Sequence, residues 1–311
     1  MVPGSAASVM RTWFSQSTDL IATFHPTILS VEPDSKGRYV VRTLFSAVEP
    51  GTKNVIPLGQ MKSVVSVTED GIAAVNMMEE ATERWERTTV DMITYLMPPD
   101  SEANRQRMRN AARFVRTIAD SFHVDVPEEI TYVVARTRDE LCAILGLEYF
   151  AMPPQGLAWP LSNMIVVGNG DVGYAHELVH LVLRKYDAAH PVVREGVATL
   201  FGGSLGIPYS TLVLDYRDKR HGTVPSFTSL FTENNVEQND VYVLGAALCD
   251  MVRRTHGTDG LKALLEARTT SETMHKLSYM LGIEPNDTMG GLDSILEEAC
   301  AAVNEGVVPG R

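Results

Sequence analysis

The run His176-Glu177-Leu178-Val179-His180 puts two histidines at i and i+4, so any helix carrying them presents both imidazoles on one face, one turn apart. Leu178, Val179, Leu181, Val182 and Leu183 make that helix apolar on nearly every side, which demands a buried, central position. Buried imidazoles and a buried carboxylate need partners, and one shared metal ion supplies them. Glu177 follows the first histidine and is rotated from it by about 100° around the helix. From there its carboxylate can reach a water in the open position of a metal without being a ligand itself. Zinc lowers the pKa of such a water towards ~7, and a general base beside it completes a nucleophile. These residues therefore predict one Zn²⁺ per chain, with His176 and His180 as ligands and Glu177 as base. Asp171, after the Gly168–Gly170 turn, is the expected N-cap of this helix.

A catalytic zinc takes a third protein ligand. The metzincin arrangement places a glycine three residues after the second histidine and a ligand three further on. Leu183 and Tyr186 stand there, so that arrangement is excluded. Asp187 and His190 have suitable chemistry but fall beside the expected turn between helices. Glu195 is the favoured ligand. It opens Glu195-Gly196-Val197-Ala198-Thr199 on a second helix begun by His190-Pro191, and proline suits a first helical position. Gly196 is expected where this second helix approaches the first closely.

HELVH followed by a separate E-G-x-A helix resembles the gluzincin metallopeptidases, in particular the small peptidase-MA-like bacterial families. The resemblance covers about residues 88–268, and the two metal helices are its sharp part. It implies a zincin-like fold, His176, His180 and Glu195 as zinc ligands, and Glu177 as base and proton shuttle. By position in the tyrosine-containing helix that follows in those families, it also implies Tyr242 as the oxyanion donor. A core tyrosine with a satisfied hydroxyl is the plain alternative. Tyr186, Tyr209, Tyr216 and His221 are reserves for the same role. The strand Asn163–Val167 corresponds to the edge strand on which zincins bind extended substrate. Two departures stand out. Thr199 occupies the place, one turn after Glu195, where an acidic side chain often orients a ligand histidine; its hydroxyl can accept an imidazole N–H without supplying charge. The G-x-M-E-N sequence of the aminopeptidase branch is absent, which favours an endopeptidase or an exopeptidase of another kind.

The whole chain reads as α+β. A helix over 8–24 precedes strand patterns at Thr27–Val31, Arg38–Val48, Gln60–Thr68 and Ile72–Met78. That order is similar to the cystatin or nuclear-transport-factor-2-like folds and defines a small domain over 1–80. A charged connector, 79–87, leads to the metallopeptidase domain, 86–311. It begins with a strand over Thr88–Leu96 and a helix over Ser101–Phe122. A strand at Ile130–Ala135 and a helix at Thr137–Leu145 follow. Beyond Asn163–Val167 come helices near 172–186, 191–203, 239–256, 258–268, 271–281 and 288–303. Residues 202–238, rich in Gly, Pro, Ser, Thr and Asn, are expected to form a rim over the cleft.

A net charge of −12 over 311 residues argues against a nucleic-acid or anionic-membrane surface, and no apolar run reaches the ~18 residues of a membrane span. A peptide or protein is the expected partner. Three well-separated cysteines, Cys142, Cys249 and Cys300, form no metal-type pair and read as small core residues. Met1–Ser5 carry no leader pattern, so the expectation is a cytoplasmic protein or an exported one whose signal peptide lies outside this sequence. The competing functions are a zinc hydrolase acting on a non-protein amide or ester, and a silent binding protein whose N-terminal domain carries the function.

Overall fold

The computed structural model describes residues 24–49, 51–69, 71–102, 104–151, 153–220, 224–233, 236–283 and 291–307. The helix expected over 8–24 lies outside these, except for Phe24. Strands β1 (His25–Pro33), β2 (Tyr39–Val48), β3 (Val55–Thr68) and β4 (Gly71–Ala74) pair in that order as an antiparallel meander. The turn between β1 and β2 is built by Asp34, whose Oδ1 accepts the Lys36 and Arg38 N–H groups at 2.9 and 2.8 Å. The strand expected over 72–78 is cut short at Ala74. Asn76 Oδ1 accepts the Glu79 N–H at 3.3 Å and starts a short helix, α1 (Met77–Ala81), where alternation alone suggested a continuing strand.

The single strand expected over 88–96 is a hairpin. β5 (Glu86–Val90) and β6 (Ile93–Met97) pair antiparallel with Val90 opposite Ile93, and Asp91 turns the chain at φ 57°. Aspartate tolerates this left-handed conformation, so the turn needs neither glycine nor proline and leaves no break in the apolar pattern. Helix α2 (Arg105–Phe122) follows, then β7 (Ile130–Val134), α3 (Arg138–Leu145), β8 (Leu147–Phe150), β9 (Gly156–Trp159) and β10 (Met164–Val167). Helix α3 begins as its residues predict. Thr137 Oγ1 accepts the Glu140 N–H at 3.1 Å, and Glu140 reaches back to the Arg136 N–H at 2.6 Å. The second sheet has the order β5-β6-β7-β10-β9, with β10 parallel to β7 and antiparallel to β9. β10, the strand expected at an edge, therefore has a neighbour on each side, and β9 is the edge. The segment Gly156–Trp159 lacks a clear period, and only its pairing reveals it as a strand.

Meanwhile β8 joins the first sheet, antiparallel to β3. One apolar core serves both sheets: Leu58 and Met61 of β3, Leu141 and Leu145 of α3, Phe150 of β8 and Val166 of β10 belong to it. Each such side chain contributes roughly 1.5–3 kcal/mol by leaving water.

The rest of the chain is helical: α4 (Ala175–Val182), α5 (Pro191–Gly202), α6 (Tyr209–Lys219), α7 (Phe227–Thr232), α8 (Gln238–Leu265), α9 (Thr270–Leu281) and α10 (Gly291–Asn304). Helices α6 and α7 occupy much of the expected rim. The residues that suggested a loop stand at helix starts there. Pro208 precedes α6, and Ser226 caps α7 by accepting the Ser229 N–H at 3.0 Å. Helix α8 is interrupted at Gly257, where φ is 65°, at the expected break after His256. The described parts of Met1–Asn104 and Thr131–Val172 make one compact unit, and those of Arg105–Ile130 and Gly173–Arg311 another. No helix among the described residues is long and apolar enough to cross a membrane. Cys142, Cys249 and Cys300 are free thiols, the last two buried.

Candidate metal centre

Helix α4 is short and buried through Leu178, Val179, Leu181 and Val182, with His176 only 4% exposed. It starts later than expected. Tyr174 is the N-cap residue and makes no side-chain cap, while Asp171 sits in the preceding turn with its N–H on Asn169 Oδ1 at 3.0 Å. Helix α5 begins as its residues predict, with Pro191 in the first turn and His190 at the N-cap. His190 Nδ1 accepts the Val192 N–H at 3.3 Å, which commits that ring to capping. Asp187 instead lies against Arg194, whose Nη1 donates to the Asp187 carbonyl at 3.0 Å. Neither is among the residues brought together below.

His176, His180 and Glu195 converge. His176 Nε2 and His180 Nε2 are each 3.2 Å from Glu195 Oε2, and 3.2 Å from one another. Glu195 is 9% exposed, and its other oxygen, Oε1, faces Arg194 Nη2 at 3.4 Å. Close helix crossing makes this possible, but not where Gly196 was expected to act. Gly196 packs on Gly245 of α8 rather than on α4. A Cβ on Gly196 would lie 2.5 Å from the Gly245 carbonyl, and one on Gly245 would lie 2.4 Å from the Val192 carbonyl. Side chains at these two positions would push α5 off α8.

The hydrogen bonds define what the cluster lacks. His176 Nδ1 lies 2.8 Å from the Gly203 carbonyl, which can only accept, so Nδ1 carries the proton. The neutral ring then turns a lone pair at Nε2 towards the Glu195 carboxylate and the second imidazole. Acceptors facing acceptors repel in a buried site unless a cation stands among them. Without a metal, a proton fills that role. Burial alone would push His176 down, but the Glu195 and Glu177 carboxylates raise it above its ordinary value. Glu195 behaves in the complementary way: burial opposes its charge, yet His180 and His176 hold it well below the usual carboxylate range. Donors bonded at about 2.0 Å to a tetrahedral zinc lie ~3.3 Å apart, so the observed spacing and the N, N, O donor set both fit that ion.

Tyr242 comes to the same place. Its ring centroid is 5.5 Å from that of His176, at an interplanar angle of 69°, and Gln238 Nε2 donates to its hydroxyl at 3.1 Å. Burial, followed by the Glu195 charge, pushes that hydroxyl well above its ordinary value, so it stays a proton donor. Glu177 is partly exposed on the turn that carries His176. The reserves are bonded elsewhere, are buried, or lie outside the described residues. Tyr216 donates to Asp240 at 2.6 Å, Tyr186 and Tyr209 are buried, and His221 is not described. Thr199 is fully buried, and its Oγ1 has no hydrogen-bond partner among the described residues. The Gly203 carbonyl, not Thr199, meets the ligand-face histidine. No local pattern assigns a role to Arg194, Tyr174 or Gly203. Arg194 adjoins Glu195 and was findable as its neighbour; Gly203 is 27 residues from His176 and carried no local signal.

No family model matches the chain, and no curated protein matches it in sequence. Among solved structures, a variant of an M1 zinc metallopeptidase from Deinococcus radiodurans bound to a Tyr-Ser-Ala substrate is 14% identical, with a TM-score of 0.39 over 90% of this chain and 61% of that one. Another variant structure from the same organism is 13% identical, with a TM-score of 0.39 over 93% and 63%. A two-domain M1 zinc metallopeptidase variant bound to L-tryptophan is 12% identical, with a TM-score of 0.38 over 90% and 61%. The chain thus spans about three-fifths of the length of these structures.

Proposed function

We propose that this chain is a zinc-dependent hydrolase of peptide bonds, acting as an endopeptidase, with one Zn²⁺ held by His176, His180 and Glu195. The observation that carries the reading is the meeting of two imidazole nitrogens and one carboxylate oxygen at 3.2 Å in a buried site, with a further carboxylate, Glu177, on the same helical turn. When bound, the ion supplies Lewis acidity and an acidified water. The chain's own residues supply the rest. Glu177 takes a proton from the attacking water at its carboxylate and returns it to the departing amine nitrogen. The Tyr242 hydroxyl donates to the oxygen that gains charge as the scissile carbon becomes tetrahedral. Arg194, on the free oxygen of Glu195, keeps the other oxygen turned towards the histidines. These residues all lie within 86–311, which we read as the gluzincin-like domain. Strands β1–β4 of the first sheet lie within 1–80, which we read as a small cystatin- or nuclear-transport-factor-2-like domain.

Metal analysis of protein purified without chelator is expected to find about one zinc per chain. Protein with no transition metal and no affinity for added zinc sinks the proposal. Glu177→Gln is expected to keep the metal and to lose roughly 10²–10⁴ in turnover, the usual share of a general base. Wild-type cleavage by that variant removes Glu177 from the mechanism. Digestion of a peptide library reads internal cleavage for an endopeptidase and terminal trimming for an exopeptidase. Silence there, with turnover of esters or non-protein amides, reassigns the substrate and leaves the metal site standing.

A further inference from the structure

The side chain one turn after Glu195, Thr199, leaves His176 without a partner from that position, yet the ring is held. We infer that Gly202 and Gly203, at the end of α5, are the positioning residues that seat His176 as a ligand, an inference that rests on the metal reading above. The contact is made by main chain. A Cβ on Gly202 would lie 2.6 Å from the His176 amide nitrogen and 2.7 Å from its Cα, so the end of α5 lies directly against the first turn of α4. Gly203 has φ 71° and ψ −167°, a region closed to residues with a Cβ, and a Cβ there would meet the Ile207 carbonyl at 2.2 Å. In that conformation its carbonyl reaches His176 Nδ1 at 2.8 Å.

The turn beyond it locks this geometry. Ser204 and Ile207 exchange both main-chain hydrogen bonds, at 3.0 and 2.8 Å, with Leu205 at φ 54° and Gly206 at φ 77° between them. Leu205 adopts a left-handed conformation that a leucine rarely takes, and its N–H donates to the Tyr174 hydroxyl at 3.3 Å. Tyr174 is the N-cap residue of α4. One short segment therefore grips the first turn of α4 at three points: the His176 backbone, the His176 ring and the Tyr174 hydroxyl.

The chemistry follows from a carbonyl being an acceptor only. The other tautomer would leave the Gly203 oxygen facing a lone pair and would put a hydrogen at Nε2, where the ion has to bind. The main chain thus selects both the ring orientation and the tautomer. Unlike a carboxylate, it cannot be neutralised by acid, and it adds no negative charge to the imidazole.

The test compares zinc dissociation constants, by chelator competition, and the visible spectrum of the cobalt-substituted protein. Gly203→Ala is expected to bind zinc about 10- to 100-fold more weakly and to shift the cobalt bands, as loss of a ligand's orienting partner does. Gly257→Ala places the same backbone strain, at φ 65° and ψ −165° with open space around it, at the break in α8, and is expected to leave both readouts unchanged. Folded Gly203→Ala protein with the wild-type constant and spectrum overturns the inference. If that variant does not fold, nitrogen-15 spectra of zinc-loaded wild-type protein decide: His176 protonated at Nδ1 and metal-bound through Nε2 supports it, and the reverse overturns it. Wild-type protein that binds no zinc defeats the metal reading itself, an outcome distinct from a variant that binds as well as the wild type.

Discussion

Two dense polar clusters in this molecule make opposite use of charge. On the first sheet and α1, Arg38 donates to Asp34 at 2.7 Å and to Glu80 at 3.0 Å, and Lys36 also pairs with Glu80. Each donor there meets an acceptor, and Lys36 stays 60% exposed. In the helical unit, His176 and Glu195 are buried and His180 nearly so, and two imidazole nitrogens and a carboxylate oxygen stand 3.2 Å from one another. The first cluster is complete as it stands, and water reaches it at Lys36. The second is complete only with a cation at its centre. Unmatched acceptors, more than the number of charged groups, separate a self-sufficient cluster from a site.

That contrast can be broken most directly at the buried end. Glu195→Ala removes the anionic ligand and is expected to weaken zinc binding by more than the ~100-fold upper cost of losing an outer partner. Isothermal titration reads this, and an unchanged constant makes the cluster an ordinary buried network. Next in size is Gly245→Val. Its Cβ would lie 2.4 Å from the Val192 carbonyl, so α5 has to move. A loss of roughly 1–3 kcal/mol is expected, as for an overpacked core, together with weaker zinc binding. A variant destabilised to that extent but binding zinc as before would separate the helix crossing from the site.

Acidity sharpens the comparison further. His176 is raised above its ordinary 6.5, so its contribution to metal-free stability is full below that pH and is lost as pH rises through the raised value. Glu195 is held well below its ordinary 4.5, so its contribution is present above 4.5 and is lost as pH falls through the lowered value. The metal-free cluster should therefore stabilise most between those two ordinary values. Zinc has to displace the proton on the imidazole, so its stabilisation, read as the rise in Tm on adding metal, is expected to grow from pH 6 to pH 8. A Tm gain independent of pH argues against ligation by these histidines. The smallest effect belongs to the exposed member of the first cluster: Lys36→Gln is expected to leave both Tm and zinc affinity within error. A clear loss of zinc affinity in that variant would show that the two clusters are coupled.

The donors of the candidate site were legible because their relation is local. An i, i+4 pair shares a helical face wherever the helix packs, and Pro191 announces the start of the helix that carries Glu195. Tyr242 was placed by the order of elements, and the structure sets its ring beside His176. The break at Gly257 was legible too, since glycine before a new apolar run needs no tertiary context. The hairpin at Asp91 was hidden, because an aspartate turn leaves the alternation unbroken. Helices α6 and α7 were hidden because their capping residues look like loop residues.

By itself, then, the sequence determined an α+β chain with a buried helix presenting two imidazoles and a second helix presenting a carboxylate. Only the tertiary structure decided that the three donors meet at 3.2 Å, that Gly196 serves the crossing with α8, and that a Gly203 carbonyl 27 residues away orients His176 in place of Thr199. Periodicity and capping act within a few residues and leave a pattern in the chain. A main-chain carbonyl looks the same at every position, and only folding gives one of them a histidine to hold.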